Sequence, residues 1–426
     1  MKNYALSMLL GAAFISGTSA LGYNPENLVF SKNDKVLKNV IFKDGNFTIS
    51  QIKERMPQEI KESNLYYIKV KDQKVRRQVT AITPTIYRDD QHLVIESKDM
   101  SVVERISSIL HESDEIFCGG VQWISNSPQI LKADKFPSEF HASNIKLDDK
   151  VVKLLEEVSG EKQKGIVETL ENFGTRHANT SIGEKSSNWI ADQLKDIAEG
   201  RDDIEFEQIA NRRSNQKSVI ARIKGQKNPE NIVILGAHID STAFWNKNNA
   251  PGADDNATGT AALMEAFRII VESGLRFEHS LEFHGYAAEE LGLIGSSELA
   301  AQYRNEDRKV LSMVQLDMNG YLKSGNQAKV TLVSNNTNSD LTNSLGRMAE
   351  LYIDIPFDIK PLNGGSSDHA AWNRQGFPAA FPTEDTDNFN RKIHSPSDTS
   401  DILDFELSSQ FTKLVISYLS HVGVII

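Results

Sequence analysis

Residues 144–426 predict an α/β domain whose central strands are covered by helices on both faces. Three observations support this. Short apolar runs ("NIVILGAH", "SLEFHGYAA", "KVLSMVQLDM", "AKVTLVS") recur along the segment. Helical stretches such as "GTAALMEAFRIIVESG", "SSELAAQYRN" and "DLTNSLGRMAELY" alternate with them. The alternation of the two, with no internal repeat or low-complexity tract, indicates central strands covered on both faces.

The elements follow in chain order. Met1 and Lys2 precede the apolar run "YALSMLLGAAFISG", and "TSA" at 18–20 supplies the small residues of a cleavage site. Residues 1–20 therefore read as a secretory signal peptide, cut after Ala20, with no membrane anchor left afterwards. Residues 21–125 read as a small α+β unit. The run "NLYYIKVKDQKVRRQVTAITPTIYRDDQHLVIESK" suggests short strands with polar outer faces, and "DMSVVERISSIL" has helical spacing. Residues 126–143 carry prolines and serines without a period and read as a linker. In 144–426, "DDKVVKLLEEVS", "KGIVETLENF" and "SSNWIADQLKDIA" place apolar residues three and four apart, as in amphipathic helices, with Ser186 or Ser187 as a cap for the third.

Composition narrows the function. Hydrophobic residues make up 39% and charged residues 25%, near the values of soluble globular chains. The net charge of −11 argues against a nucleic-acid partner. Cys118 is the only cysteine, which excludes an intramolecular disulfide.

In an open α/β sheet, ligands bind beyond the carboxyl ends of the strands, and metal-type side chains gather there in this sequence. "NIVILGAH" ends in His238, with Asp240 two residues on. "SLEFHGYAA" runs into Glu289 and Glu290, and "KVLSMVQL" into Asp317. The loop "APGADDNATG" brings Asp254 and Asp255 before a helix, and "RKIHSPSDT" offers His394. Singly, each has an ordinary explanation: a hydrogen-bonded histidine, an N-cap, a solvated strand end. Together, at consecutive strand ends, they would repel without a cation. Imidazole and carboxylate suit Zn²⁺, and two histidines with three carboxylates suit two open sites that share one carboxylate. Two Zn²⁺, three carboxylates and one hydroxide make a neutral cluster.

The segments "GAHIDS", "PGADDNATGTAALME", "YAAEELGLIGS", "QLDMNGY", "SDHAAW" and "IHSPSDT" resemble, in order and spacing, the co-catalytic di-zinc aminopeptidases of the bacterial leucyl aminopeptidase type. The resemblance runs from about residue 144 to the C-terminus. It implies a three-layer α/β/α zinc-exopeptidase domain with a central mixed, mostly parallel sheet, preceded by a small α+β propeptide-like or accessory domain. It implies two Zn²⁺, with Asp255 bridging, Glu290 and His394 completing one metal, and His238 and Asp317 completing the other. Asp240 would take the second ring N–H of His238 and fix its tautomer. Glu289 would be the general base, using a zinc-bound hydroxide to release N-terminal residues from peptides or proteins with a free N-terminus. The substrate's α-amino group would sit on the other zinc.

Some relatives have a tyrosine and a disulfide where this chain reads "LNGGSS" at 362–367, which leaves zinc alone to steady the oxyanion. His369 and His284 read as packed structural histidines. Met318 and Phe389 are candidate walls of the substrate pocket, which favours apolar first residues; Glu384, Asp385 and Asp387 could instead welcome a basic one. The chain is expected to be secreted, to the medium or through the periplasm, and to act as a monomer. The ligand residues alone also admit a carboxypeptidase or a single-zinc glutaminyl cyclase of the same fold, or a catalytically dead receptor-like binding protein.

Overall fold

The computed structural model describes residues 28–32, 40–44, 47–51, 64–111, 120–124, 133–243, 246–362 and 364–426. Residues 1–20, expected to be a signal peptide, and Cys118 lie outside the described residues. The N-terminal unit opens with β1 (Leu28–Ser31), β2 (Val40–Asp44) and β3 (Phe47–Gln51), a three-stranded antiparallel sheet in the order β1-β3-β2. It continues with β4 (Leu65–Lys69), α1 (Gln73–Ile82), β5 (Thr85–Arg88), β6 (His92–Glu96), α2 (Met100–His111) and β7 (Val121–Trp123). These four strands form an antiparallel sheet in the order β5-β6-β4-β7.

The segment "QKVRRQVTAI", expected to be strand, is helix α1. The Asp72 side chain accepts hydrogen bonds from the Lys74 and Val75 N–H groups at 2.6 and 3.0 Å, satisfying the first orphan donors. Val75 and Val79, one turn apart, bury against the sheet. The basic and polar side chains interspersed around them read as a strand only if the i, i+4 pair is overlooked.

The second unit begins with the remainder of the expected linker. Phe136 and Phe140 of that stretch are buried in the core of the second unit, so its later half is packed against that core. Then come α3 (Asp149–Leu155), α4 (Gly160–Glu171) and α5 (Ser181–Ile197). Helix α5 starts five residues before Ser186, because Thr180 caps it by accepting from the Gly183 N–H at 3.0 Å. Ser186 and Ser187 are buried inside the helix and cap nothing.

Next are β8 (Ile204–Ala210), β9 (Lys217–Ile223), β10 (Asn228–His238), α6 (Gly259–Glu272), β11 (His279–Tyr286), α7 (Ile294–Asn305) and β12 (Lys309–Leu316). The chain ends with β13 (Val330–Val333), α8 (Ser339–Tyr352), β14 (Phe357–Lys360), α9 (His369–Arg374), β15 (Ala379–Ala380), β16 (Pro382–Thr383) and α10 (Phe405–Gly423). The central sheet has the order β15-β12-β10-β11-β9-β8, parallel from β15 to β11 and antiparallel across β11-β9-β8. It is mixed and mostly parallel, as expected.

Strand β10 shows why its sequence is continuously apolar. Val233, Leu235 and Ala237 enter one core, shared with α4, α5, α6, α8 and α10. Ile232 and Ile234 enter the opposite core, with Leu299 and Tyr303 of α7 and Trp372 of α9. The three layers follow from this two-sided burial. Among the described residues no helix is long and apolar enough to cross a membrane.

Candidate metal centre

Strand register places the site. His238 closes β10 and lies opposite Tyr286 of β11, and Ala237 lies opposite Leu316 of β12. The residues just past these pairs, His238, Glu289, Glu290 and Asp317, therefore emerge at the same edge of the sheet. A distorted turn over Ala253–Thr258 feeds Asp255 into that edge ahead of α6, and the loop before α10 brings His394. Ala288, Met318 and His394 hold left-handed φ angles of 57°, 55° and 55°. Non-glycine residues keep such a conformation only where their surroundings enforce it, commonly at functional sites.

The five expected ligands come together in two groups that share Asp255. His238, Asp255 and Asp317 offer atoms all within 4.8 Å of one another, and so do Asp255, Glu290 and His394. His238 Nε2 is 3.1 Å from Asp255 Oδ1 and 3.4 Å from Asp317 Oδ1. His394 Nε2 is 2.7 Å from Asp255 Oδ2 and 3.1 Å from Glu290 Oε2. The two oxygens of Asp255 thus face different histidines, the arrangement a bridging carboxylate needs. All five side chains are buried.

Electrostatics points to bound cations. Burial works to lower the pKa of both histidines, but the carboxylates outweigh it. His394 is held at about 10 by Glu290 and Asp255, and His238 is raised well above its ordinary value by Asp317 and Glu289. Burial and Asp255 push the Glu290 carboxyl up to about 7 despite His394. Burial, with Glu290, Asp368 and Asp317 adding to it, raises Glu289 well above the carboxylate range. The site therefore draws positive charge inward and holds protons in its place. Asp317 Oδ1 and Glu290 Oε1 are buried with no hydrogen-bond donor among the described residues. Buried orphan carboxylate oxygens beside two imidazoles fit zinc.

The supporting contacts were only partly legible. Asp240 lies 3.5 Å from His238 Nδ1, beyond the usual hydrogen-bond length. Its closer partners are the backbone N–H groups of Glu289 and Glu290, at 3.0 and 3.2 Å. It therefore ties the β11 loop to the β10 end. Asp398, in the quoted "IHSPSDT" but assigned no role there, accepts from the Asp254 and Asp255 N–H groups at 3.2 and 3.1 Å and from Asn390 Nδ2 at 3.0 Å. Ser367 donates to Asp317 Oδ2 at 2.6 Å. The serine follows glycines in a loop, and nothing in its spacing marks it. Arg176 is wholly buried beneath the site, and a single arginine in a turn gives no sequence signal.

The histidines read as structural behave so. His369 stacks on Phe381 at 4.8 Å, and burial lowers its pKa to about 3. His284 bonds Glu282 at 2.8 Å and Tyr286 at 3.2 Å inside the sheet. Met318 and Phe389 share one apolar cluster with Val333, Leu362, Phe381 and Ile393, adjacent in sequence to Asp317 and His394. The nearby acids are already engaged. Glu384 is buried and accepts from the Tyr321 and Asn390 N–H groups. Asp385 and Asp387 pair with Lys329 and Lys360 at 3.0 and 2.7 Å.

Comparison with known proteins bears on the family and the fold. Residues 218–419 match the model of peptidase family M28. The chain is 32% identical to leucine aminopeptidase 1 of Paracoccidioides brasiliensis over 66% of its length and 74% of that protein's. It is 32% identical to a probable leucine aminopeptidase of Arthroderma otae over 70% of its length and 80% of that protein's. Among solved structures, the LapA aminopeptidase of Legionella pneumophila superposes with a TM-score of 0.74 at 26% identity, covering 85% of this chain and 98% of that one. Residues 144–426 are only about two thirds of the chain, so that likeness extends into the N-terminal unit. The zinc aminopeptidase BSAP of Bacillus subtilis shares the fold, with a TM-score of 0.53 at 16% identity over 62% of this chain and 95% of that one.

Proposed function

The chain belongs to peptidase family M28 and is a zinc-dependent aminopeptidase; from that premise we propose that it holds two zinc ions and removes apolar residues from the N-termini of peptides. The observation that carries the proposal is the pair of ligand groups sharing Asp255. His238 and Asp317 would hold one ion and Glu290 and His394 the other. Zinc bound there would polarise the scissile carbonyl and bring the pKa of a coordinated water to about 7.

Glu289, adjacent to Glu290 but in neither group, takes the proton of the attacking water and passes it to the leaving amine. Its burial among acids favours holding a proton between those two transfers. Asp240 sets the height of Glu289 and Glu290 through their backbone N–H groups. Met318 and Phe389 wall the pocket for the first side chain. Lys329 and Lys360 already engage Asp385 and Asp387, which weighs against these two carboxylates attracting a basic residue.

Dipeptides headed by Leu, Met, Phe, Lys and Glu, with N-acetylated controls, test this reading. We expect stepwise release from the N-terminus, apolar first residues fastest, and no cleavage of the acetylated series. Release of C-terminal residues, or a preference for Lys, would sink it.

We further propose that residues 1–20 direct export and are removed, and that residues 21–125 stay as an accessory domain. Leu291, just after Glu290, and Ile294, the first residue of α7, share a core with Tyr66, Val79, Ile106 and Trp123 of the N-terminal unit. The Trp123 N–H donates to the Gly292 carbonyl at 3.0 Å, and Gly292 has φ +113°, with room for no Cβ against Trp123. Departure of the unit would expose these side chains at about 1.5–3 kcal/mol each. Native and denaturing mass spectrometry of protein from the medium is expected to show a monomer beginning at Leu21. A chain beginning near the linker would overturn retention, and one beginning at Met1 would overturn export by cleavage.

A further inference from the structure

Arg176 is an ionic side chain under the metal centre that the proposed chemistry does not use. It lies in the turn between α4 and α5 and is fully buried. Its guanidinium donates to three carbonyls: Nε to Ile239 at 3.1 Å, Nη1 to Pro251 at 2.5 Å and Nη2 to Gly252 at 2.8 Å. A longer contact reaches the Leu170 carbonyl at 3.5 Å. Ile239 sits between His238 and Asp240, and Pro251 and Gly252 lead into Asp254 and Asp255. One planar fork therefore joins the two chain segments that deliver a histidine ligand and the shared carboxylate.

The surrounding backbone strengthens the joint. The Arg176 N–H donates to Ser241 Oγ at 2.9 Å, and Ser241 Oγ donates to the Ala250 carbonyl at 2.7 Å. Ala250 N–H reaches the Gly174 carbonyl at 2.8 Å. Gly252 has φ +54°, and a Cβ there would stand 2.5 Å from Ser241 Cβ and 3.2 Å from Arg176 Nη2. The packing at this point accepts no side chain.

The charge is as distinctive as the geometry. A buried arginine ordinarily pairs with a carboxylate, whereas the hydrogen bonds of Arg176 go to neutral carbonyls. Burial lowers its pKa to about 10, still protonated at neutral pH, while Asp398, Asp240, Asp255 and Glu290 act in the opposite sense through space. The cation thus faces the carboxylate nest without being neutralised by any single member.

We propose that Arg176 is a positioning residue of the metal centre, whose fork fixes the spacing of the His238 and Asp255 segments and whose charge offsets the gathered carboxylates before metal arrives. The inference rests on the two-zinc reading above. A lysine at this position keeps the charge but cannot span three carbonyls, and a glutamine keeps neither the charge nor the fork.

The test is zinc affinity of the metal-free protein, measured by competition with a chromophoric chelator, alongside thermal melting. Arg176→Lys and Arg176→Gln are expected to bind zinc about 10- to 100-fold more weakly, Gln the more so, as for other residues that orient ligands. Arg374→Lys changes a buried arginine whose partners, Gln122 and the Phe42 ring, belong to the N-terminal unit. It is expected to lower melting while keeping wild-type zinc affinity. Folded Arg176 variants with wild-type affinity, or an equal loss in Arg374→Lys, would overturn the proposal. If neither Arg176 variant folds, Ser241→Ala decides: it cuts the tie to the Arg176 backbone and should weaken zinc severalfold, and unchanged affinity would overturn the role. Failure of the wild-type protein itself to bind zinc would instead count against the two-zinc reading.

Discussion

Glu289→Gln is expected to lower kcat by about 10²- to 10⁴-fold, the range that a positioned base contributes, while zinc content stays at the wild-type level. Glutamine matches the buried side chain in size but cannot accept and return a proton. The ligand groups contain Glu290 and not Glu289, and Glu289 meets Asp240 Oδ1 through its backbone N–H rather than its side chain. Metal binding and the local fold therefore survive the change. Turnover assays on a leucyl substrate, paired with metal analysis of the same preparation, check it. Near-normal turnover would remove Glu289 from the chemistry, and parallel loss of zinc would make it a ligand.

Stripping the protein with a strong chelator should abolish activity, and added Zn²⁺ should restore it. Melting temperature should fall and recover in step, since a ligand bound only to the folded state at about a thousandfold above its Kd stabilises it by roughly 4 kcal/mol. Without cations, Asp255, Glu290 and Asp317 remain buried side by side, relieved in part by protons on His238 and His394. The same competition predicts a pH effect with a definite sign. Zinc needs the imidazoles neutral and the acids ionised, so retention should weaken as pH falls. Dialysis at stepped pH followed by metal analysis measures this. Activity indifferent to chelation would count against any metal-assisted hydrolysis here.

The resemblance in sequence already grouped His238, Asp255, Glu290, Asp317 and His394; His238, Glu290 and Asp317 follow strand ends that project to one edge of an α/β sheet, while Asp255 and His394 come from loops. The alternation of apolar runs with helices also announced two-sided burial of β10. Helix α1 was harder to see, since its stability comes from Val75 and Val79 docking on the sheet, while its other residues intersperse basic and polar side chains as a strand edge would. The start of α5 was missed for a similar reason. Thr180 and Ser186 are both plausible caps by type, and only the backbone geometry chose Thr180.

By itself the sequence determined the layered α/β class and marked the two histidines and three acids that the structure brings together; the separate roles of Glu289 and Glu290 are what its resemblance implies. These depend on residue type within short local motifs, which the sequence records directly. Only the tertiary structure decided which of the two histidines each oxygen of Asp255 faces, and that Asp240 grips the glutamate backbone more closely than the His238 ring. It alone decided that Asp385 and Asp387 are engaged by lysines, and that Arg176 lies beneath the nest. Those facts depend on contacts between residues tens to hundreds of positions apart. Such contacts are set by the register of parallel strands and the packing of loops over them, and leave no periodicity in the chain.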